Sequence, residues 1–353
     1  MEQGQVKRTI DQQYLSLDAM RGLAALSVVA FHMNGDITPS AFLAVDFFFA
    51  LSGFVIADTY ISRLRGPLSA PQFMVHRLLR LYPLFLVGLL LGLLQMAAMA
   101  VAHLKAFEVK ETAISTVFNV FIIPSPVYFL FPRTNEIYGL FPLNGPAWSL
   151  FFEFVINLCF AFFLFRLKPR YLIGIAAVAF AALAYSVVQY QTLNIGWDWP
   201  TIQVGFLRVV FSFIVGVLIY YVKDKLPRQT SWAALLPILA LVGCLFMNTK
   251  GETTVIFDIA FCLVLSPLII ISGIILELPN SLKKIGYQLG YVSYPIYILH
   301  RGFINIYHAL AYKLKINPVI SSVAFILFVV VFAYVTSIIF DKLVKRMRQK
   351  LKV

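Results

Sequence analysis

The chain has 353 residues, 60% hydrophobic and 13% charged, with a mean hydropathy of +0.84 and a formal net charge of +13. A soluble domain carries roughly 45–50% apolar and about 25% charged residues, so water would not solvate this chain. Its basic residues sit in short clusters between apolar runs, where orientation in a membrane explains them, and this excludes nucleic acid as a partner.

In chain order, a polar cytoplasmic segment, 1–14, precedes spans expected near residues 17–34, 41–61, 80–103, 145–165, 171–190, 202–222, 231–248, 253–276, 288–310 and 318–340. Each approaches or exceeds the length needed to cross a hydrocarbon core of about 30 Å. The first run carries Asp18 and Arg21 and lacks a small-residue cleavage site, so it reads as a retained span rather than a signal peptide. Residues 112–123 are too short for a crossing and suit an interfacial or re-entrant helix. The outer segment around them, 103–144, has prolines at 124, 126, 132 and 142 among aromatics and is expected to fold over the bundle. A basic cytoplasmic tail, 341–353, ends the chain. With ten spans, 20 basic residues fall inside and 6 outside, while Arg21, Arg208 and Arg301 lie within spans. Counting 112–123 as a crossing would reverse that bias downstream. The expected fold is therefore all-α, a polytopic transmembrane bundle of about ten spans forming a single domain over 1–353, with both termini cytoplasmic. No internal repeat of the kind that marks many transporters is visible. Cys159, Cys244 and Cys262 stand singly in apolar runs and read as packing residues.

A charged side chain at mid-bilayer costs at least ~2.5–3.5 kcal/mol on insertion scales, so the intramembrane polar residues are where chemistry is sought. In the first span Asp18, Arg21 and His32 share a face, with His32 about 16 Å above Arg21 by helical rise. Gly22, Ala24 and Ala25 beside them are small enough to admit a helix or a thin ligand. An Asp18–Arg21 ion pair and a packing role for His32 are the plainer readings. Asp46, one turn inside the second span, is expected at the depth of His32, where a carboxylate would fix the tautomer of an imidazole. Headgroup contact is its alternative. Phe47, Phe48 and Phe49 would keep that site dry, and Ser52 and Gly53 follow. Ser149, Glu153 and Asn157 recur every fourth residue on one face, below Trp148. Arg77 and Arg80, with His76 beside them, suit phosphates or simply anchor the third span. His300, near Tyr297 and Arg301, ranks below His32 because nothing in the sequence pairs it with a carboxylate.

These residues resemble the integral-membrane acyltransferase 3 family, whose members O-acylate sugars and related acceptors. The resemblance runs in order through residues 17–26, then 45–49 with 52–54, then 77–83, then 144–150 with Glu153, and ends at 293–300. It implies an O-acetyltransferase that takes an acetyl or other short acyl group from cytoplasmic acyl-CoA, such as acetyl-CoA, without a metal. The acceptor implied is a hydroxyl of a carbohydrate, for instance a lipid-linked or exported surface glycan. His32, Arg77 and Arg80 fall at the family's essential positions. On this reading His32, Asp46 and Glu153 are catalytic, Arg21, Arg77, Arg80 and Tyr82 bind the donor, and Ser52, Asn144, Trp148 and His300 position the acceptor. The protein is expected among the lipids of a bacterial cytoplasmic (inner) membrane; whether it forms a homo-oligomer stays open. The family often has a proline soon after its last histidine, where this chain has Arg301, Gly302 and Phe303. Some relatives add an esterase-like domain; here the membrane unit or a partner is expected to complete transfer.

The expected mechanism threads the pantetheine arm of coenzyme A from Arg21 past Ala25 to His32. There His32 acts as general base, or carries the acyl group itself, with Asp46 orienting it and Glu153 and Trp148 placing the acceptor or the base. The competing class is a transporter or flippase of an acylated or glycolipid substrate.

Overall fold

The computed structural model describes residues 13–102, 108–131 and 139–351. Most of the expected segment 1–14 lies outside these residues, as do His103, Lys105, Pro132, Arg133 and Lys352.

The helices are α1 (Leu15–Met33), α2 (Ala44–Leu64), α3 (Ala70–Val101), α4 (Val109–Val120), α5 (Val127–Leu130), α6 (Ala147–Phe162), α7 (Pro169–Tyr190) and α8 (Ile202–Val222). They continue with α9 (Leu235–Phe246), α10 (Glu252–Ala260), α11 (Ser266–Ile275), α12 (Asn280–Leu299), α13 (Arg301–Lys313) and α14 (Pro318–Leu351). A π-helical turn, Phe261–Leu265, joins α10 to α11. Among the described residues the only named strands are a parallel pair of two residues each, β1 (Gln229–Thr230) and β2 (Leu276–Glu277). Among the described residues, seven helices are long and apolar enough to cross a membrane. The other three expected spans are also helical, but α6 and α9 are short and the last is broken at His300 between α12 and α13. The protein is thus an all-α polytopic membrane bundle.

Local chemistry sets the helix starts. Ser69 and Gln72 form a capping box and Pro71 lies in the first turn, so α3 begins ten residues before the expected span. Glu277 offers its carboxylate to the backbone N–H groups of Leu15 and Ser16 at 3.2 and 3.1 Å, which satisfies the positive end of α1.

Contacts along paired helices give their relative directions. Leu15 lies by Gly286, Asp18 by Gly290, and Arg21 donates to Ser293, so α1 and α12 are parallel. Asp46 meets Arg208, Gly53 meets Phe213 and Asp58 meets Lys223, so α2 and α8 are parallel too. Arg77 meets Glu153 while Gly92 lies against Leu143, so α3 and α6 are antiparallel. The intervening segment therefore leaves and re-enters the bundle on one side, and α4 adds no net crossing. It runs back along α3 until its Val120 carbonyl accepts from the Tyr82 hydroxyl at 2.9 Å, and the chain then turns at Ile122, whose φ is 58°. Ser125 and Leu140 next bind each other, and the pair is held by Trp199 Nε1 and the Trp197 carbonyl. Tyr291 reaches Asp341 at 2.7 Å, which puts the end of α14 at the same end of the bundle as the start of α1.

The helix pairs close over glycine. A Cβ at Gly22 would strike Leu289, so the small-residue stripe of α1 admits a helix, and Ala24 and Ala25 are fully buried. The expected ligand path over that stripe is filled by α12. A Cβ at Gly53 would collide with the Phe213 backbone, whereas one at Gly243 would meet nothing within 4 Å. Gly53→Ala is therefore expected to lower the melting temperature in detergent by the equivalent of about 1–3 kcal/mol, with Gly243→Ala neutral.

Candidate active site

Among the described residues, three guanidinium groups inside the bundle each join one helix pair. On α8, Arg208 sends Nε and Nη2 to the two carboxylate oxygens of Asp46 at 3.1 and 2.7 Å and further donates to the carbonyls of Ile195 and Phe42. Both side chains are 1% exposed, and the ring of Trp148 packs 5.2 Å from the guanidinium carbon. Asp46 is thus committed to Arg208 and not to His32, and Trp148 covers that pair. An arginine buried in hydrocarbon demands a carboxylate, and the intramembrane position of Arg208 was the signal that could have found its partner.

On α3, Arg77 donates to Glu153 Oε1 at 2.5 Å, and Ser52 donates to the same oxygen at 2.9 Å. Glu153 therefore sits with Arg77 rather than with His32 and Asp46, and Arg77 is no free phosphate fork. Arg80, one turn away, is exposed. Arg21 of α1 pairs with Asp18 at 2.9 Å and donates to Ser293 Oγ and the Gly290 carbonyl of α12. Arg21 also feels the charges of Arg80 and Glu153, so these groups form one cluster. Although paired within the bundle, Arg21 and Glu153 keep 26% and 23% of their side chains exposed, so open space runs beside them. Tyr82 points elsewhere, to Val120.

Above this cluster the Tyr297 hydroxyl lies 2.8 Å from Ser149 Oγ, with Phe48 edge-on to its ring. Asn144 donates to the Ile298 carbonyl at 3.0 Å, clamping α12 just before its break. At the break His300 is fully buried, and its Nδ1 lies 2.8 Å from the Tyr297 carbonyl. Its Nε2 lies 3.2 Å from Nδ1 of His32, which is also 2.9 Å from the Val28 carbonyl.

Carbonyl oxygens only accept, so Nδ1 of a neutral His300 carries its proton and its Nε2 is an acceptor. Nδ1–H of His32 then donates, shared between Val28 and His300. What remains is Nε2 of His32, a lone pair without a partner among the described residues. The arrangement can accept a proton or attack an electrophile there. The partner of His32 is an imidazole, invisible to a search for carboxylates.

A family model described as an acyltransferase domain matches residues 14–341. A Rhizobium radiobacter protein named Protein 2 in picA locus is 31% identical over 191 residues, 51% of this chain and 97% of that protein. A Staphylococcus aureus protein that bears O-acetyltransferase in its name is 24% identical over 318 residues, 83% of this chain and 51% of that one, so the chain spans about half its length. The peptidoglycan O-acetyltransferase of Listeria monocytogenes is 29% identical over 143 residues, 39% of this chain and 22% of its own. No solved structure matches the chain.

Removing one partner of a sealed ion pair strands the other. Arg208→Ala is expected to destabilise the protein by about 3–5 kcal/mol, and Asp46→Leu combined with Arg208→Met to recover most of that loss, read by thermal melting in detergent.

Proposed function

The chain belongs to the acyltransferase 3 family, and from that premise we propose that it is a membrane-embedded O-acetyltransferase working from acetyl-CoA onto a carbohydrate hydroxyl. The acceptor class is a lipid-linked or exported surface glycan, in keeping with the name of the Listeria relative. The reading rests above all on Nε2 of His32, without a partner among the described residues, at the head of a polar column that starts at Arg21.

The charge bias of the sequence favours a cytoplasmic location for the end of the bundle that holds Leu15. There Arg21, Arg77 and Arg80 outnumber the carboxylates of Asp18 and Glu153, which suits the phosphates of coenzyme A, with exposed Arg80 meeting them first. The thioester arm then lies along Ser52, Glu153 and Tyr297, not over the filled stripe at Gly22. It spans the ~16 Å of helical rise between Arg21 and His32.

At the head of the column Nε2 of His32 takes the proton of the acceptor hydroxyl as its oxygen attacks the thioester carbonyl. The carbon–sulfur bond breaks, and the departing thiolate recovers the proton from Nε2. His300 accepts from Nδ1–H throughout, holding the ring in the orientation and tautomer that this step requires.

A positioned base is worth about 10²–10⁴ in rate, so in single-turnover assays His32→Ala should lose acetyl transfer by at least that factor while acetyl-CoA binding survives. His300→Gln, which keeps an acceptor facing Nδ1, should retain more activity than His300→Ala. Wild-type chemistry in His32→Ala would sink the proposal, and a trapped acetyl-His32 would replace base catalysis with a covalent intermediate.

A further inference from the structure

Arg301 stands where the resemblance noted above would often place a proline nearby, and its surroundings differ from those of every other guanidinium within the bundle. Arg21 has Asp18, Arg77 has Glu153 and Arg208 has Asp46. Arg301, half-buried at the start of α13, has neither an ion pair nor a hydrogen bond among the described residues. Its chain neighbour His300 touches His32, and both imidazoles feel its charge. Beside it the chain turns into α6 through Gly145. A side chain placed at Gly145 would meet a single heavy atom within 4 Å, the Nε of Arg301 at 3.9 Å. Open space therefore adjoins a guanidinium that no described residue compensates, next to the base.

We propose that Arg301 and the space at Gly145 form a subsite for an anionic group, carboxylate or phosphate, carried by the acceptor beside the hydroxyl that His32 serves. A cation left unpaired among apolar helices is costly, and a neutral acceptor would leave that cost standing. The planar fork of arginine matches two oxygens of either anion. The donor's phosphates are assigned to the Arg21 and Arg80 cluster, about 16 Å lower by helical rise, so they do not compete for this site. An oxyanion formed during transfer exists only in passage and cannot neutralise Arg301 while the acceptor waits. The inference deepens the proposed acyl transfer and rests on it for the identity of the ligand as acceptor, but the binding experiment below needs no turnover.

The test titrates the purified full chain in detergent with methyl glucoside, methyl glucuronide and glucose 1-phosphate. The wild type should bind one of the anionic sugars at least tenfold more tightly than the glucoside, and which one identifies the anion. Arg301→Gln should abolish the preference without changing glucoside binding, Arg301→Lys should keep part of it, and Gly145→Val should abolish it by filling the space. Acetyl transfer from acetyl-CoA to the same sugars is measured in parallel. If the binding preference stands while no sugar is acetylated, the anionic subsite holds and the acyl-transfer reading is what fails. A wild type without preference, or an Arg301→Gln variant that weakens all three sugars equally, would overturn the subsite. So would an Arg301→Gln variant that lowers kcat equally on neutral and anionic acceptors, since Arg301 would then serve the reaction and not the acceptor's charge.

Discussion

A guanidinium inside a bilayer is costly until something meets its charge, and the arrangement of this bundle follows from how three of them are met. Arg208 ties α8 to α2 through Asp46, Arg77 ties α3 to α6 through Glu153, and Arg21 ties α1 to α12 through Ser293 and the Gly290 carbonyl. Hydrophobic burial cannot choose among such pairings, because lipid tails are as apolar as the helix faces they replace. Polar crosslinks and close approach at glycine can. Gly53 and Gly216 let α2 and α8 touch along the same faces that carry the Asp46–Arg208 pair, so packing and charge point to one partner.

That division explains how the two histidines meet. Parallel packing of α1 on α12 carries His32 and His300 to one depth, although 268 positions separate them. The helical ladder weakens there: the His300 N–H reaches the Ile296 carbonyl only at 3.4 Å, one turn beyond Pro295. Asn144 holds the Ile298 carbonyl across the same gap. A broken helix at membrane depth is tolerated where other elements cover it, and here the covering comes from the segment around Asn144. The lower arginine cluster and the upper imidazole pair thus belong to one polar column, with Tyr297 and Ser149 between them.

Much of this was legible in the sequence. Span order, the non-crossing segment at residues 112–123 and the depth of His32 above Arg21 all follow from run length, charge bias and helical rise, which are properties along one axis. What those properties do not carry is which helix stands beside which. Asp46 was expected beside His32 because the two share a depth, yet it faces α8, where Arg208 holds it. Glu153 was expected with them and lies instead on Arg77. His300 ranked low for want of a carboxylate, and its partner proved to be the other imidazole. For Asp46 the neighbour was wrong at the right depth, and Glu153 lies lower than expected, in the cluster of Arg21 and Arg77, since lateral neighbours depend on pairings remote in the chain. Intramembrane arginine was the underused signal: Arg21, Arg77 and Arg208 each take a carboxylate, and matching Arg208 to Asp46 by depth alone would have freed His32 for His300.

The central claim is that His32 presents an unprotonated Nε2 because Val28 and His300 hold its Nδ1 proton. Nitrogen-15 NMR of histidine-labelled protein in detergent, at neutral pH and with His32 assigned by the signals lost in His32→Gln, reads both ring nitrogens directly. The account predicts that His32 carries its proton on Nδ1, with Nε2 bare, and that this tautomer is no longer fixed in His300→Phe. A wild-type His32 protonated on Nε2, or on both nitrogens, would contradict it.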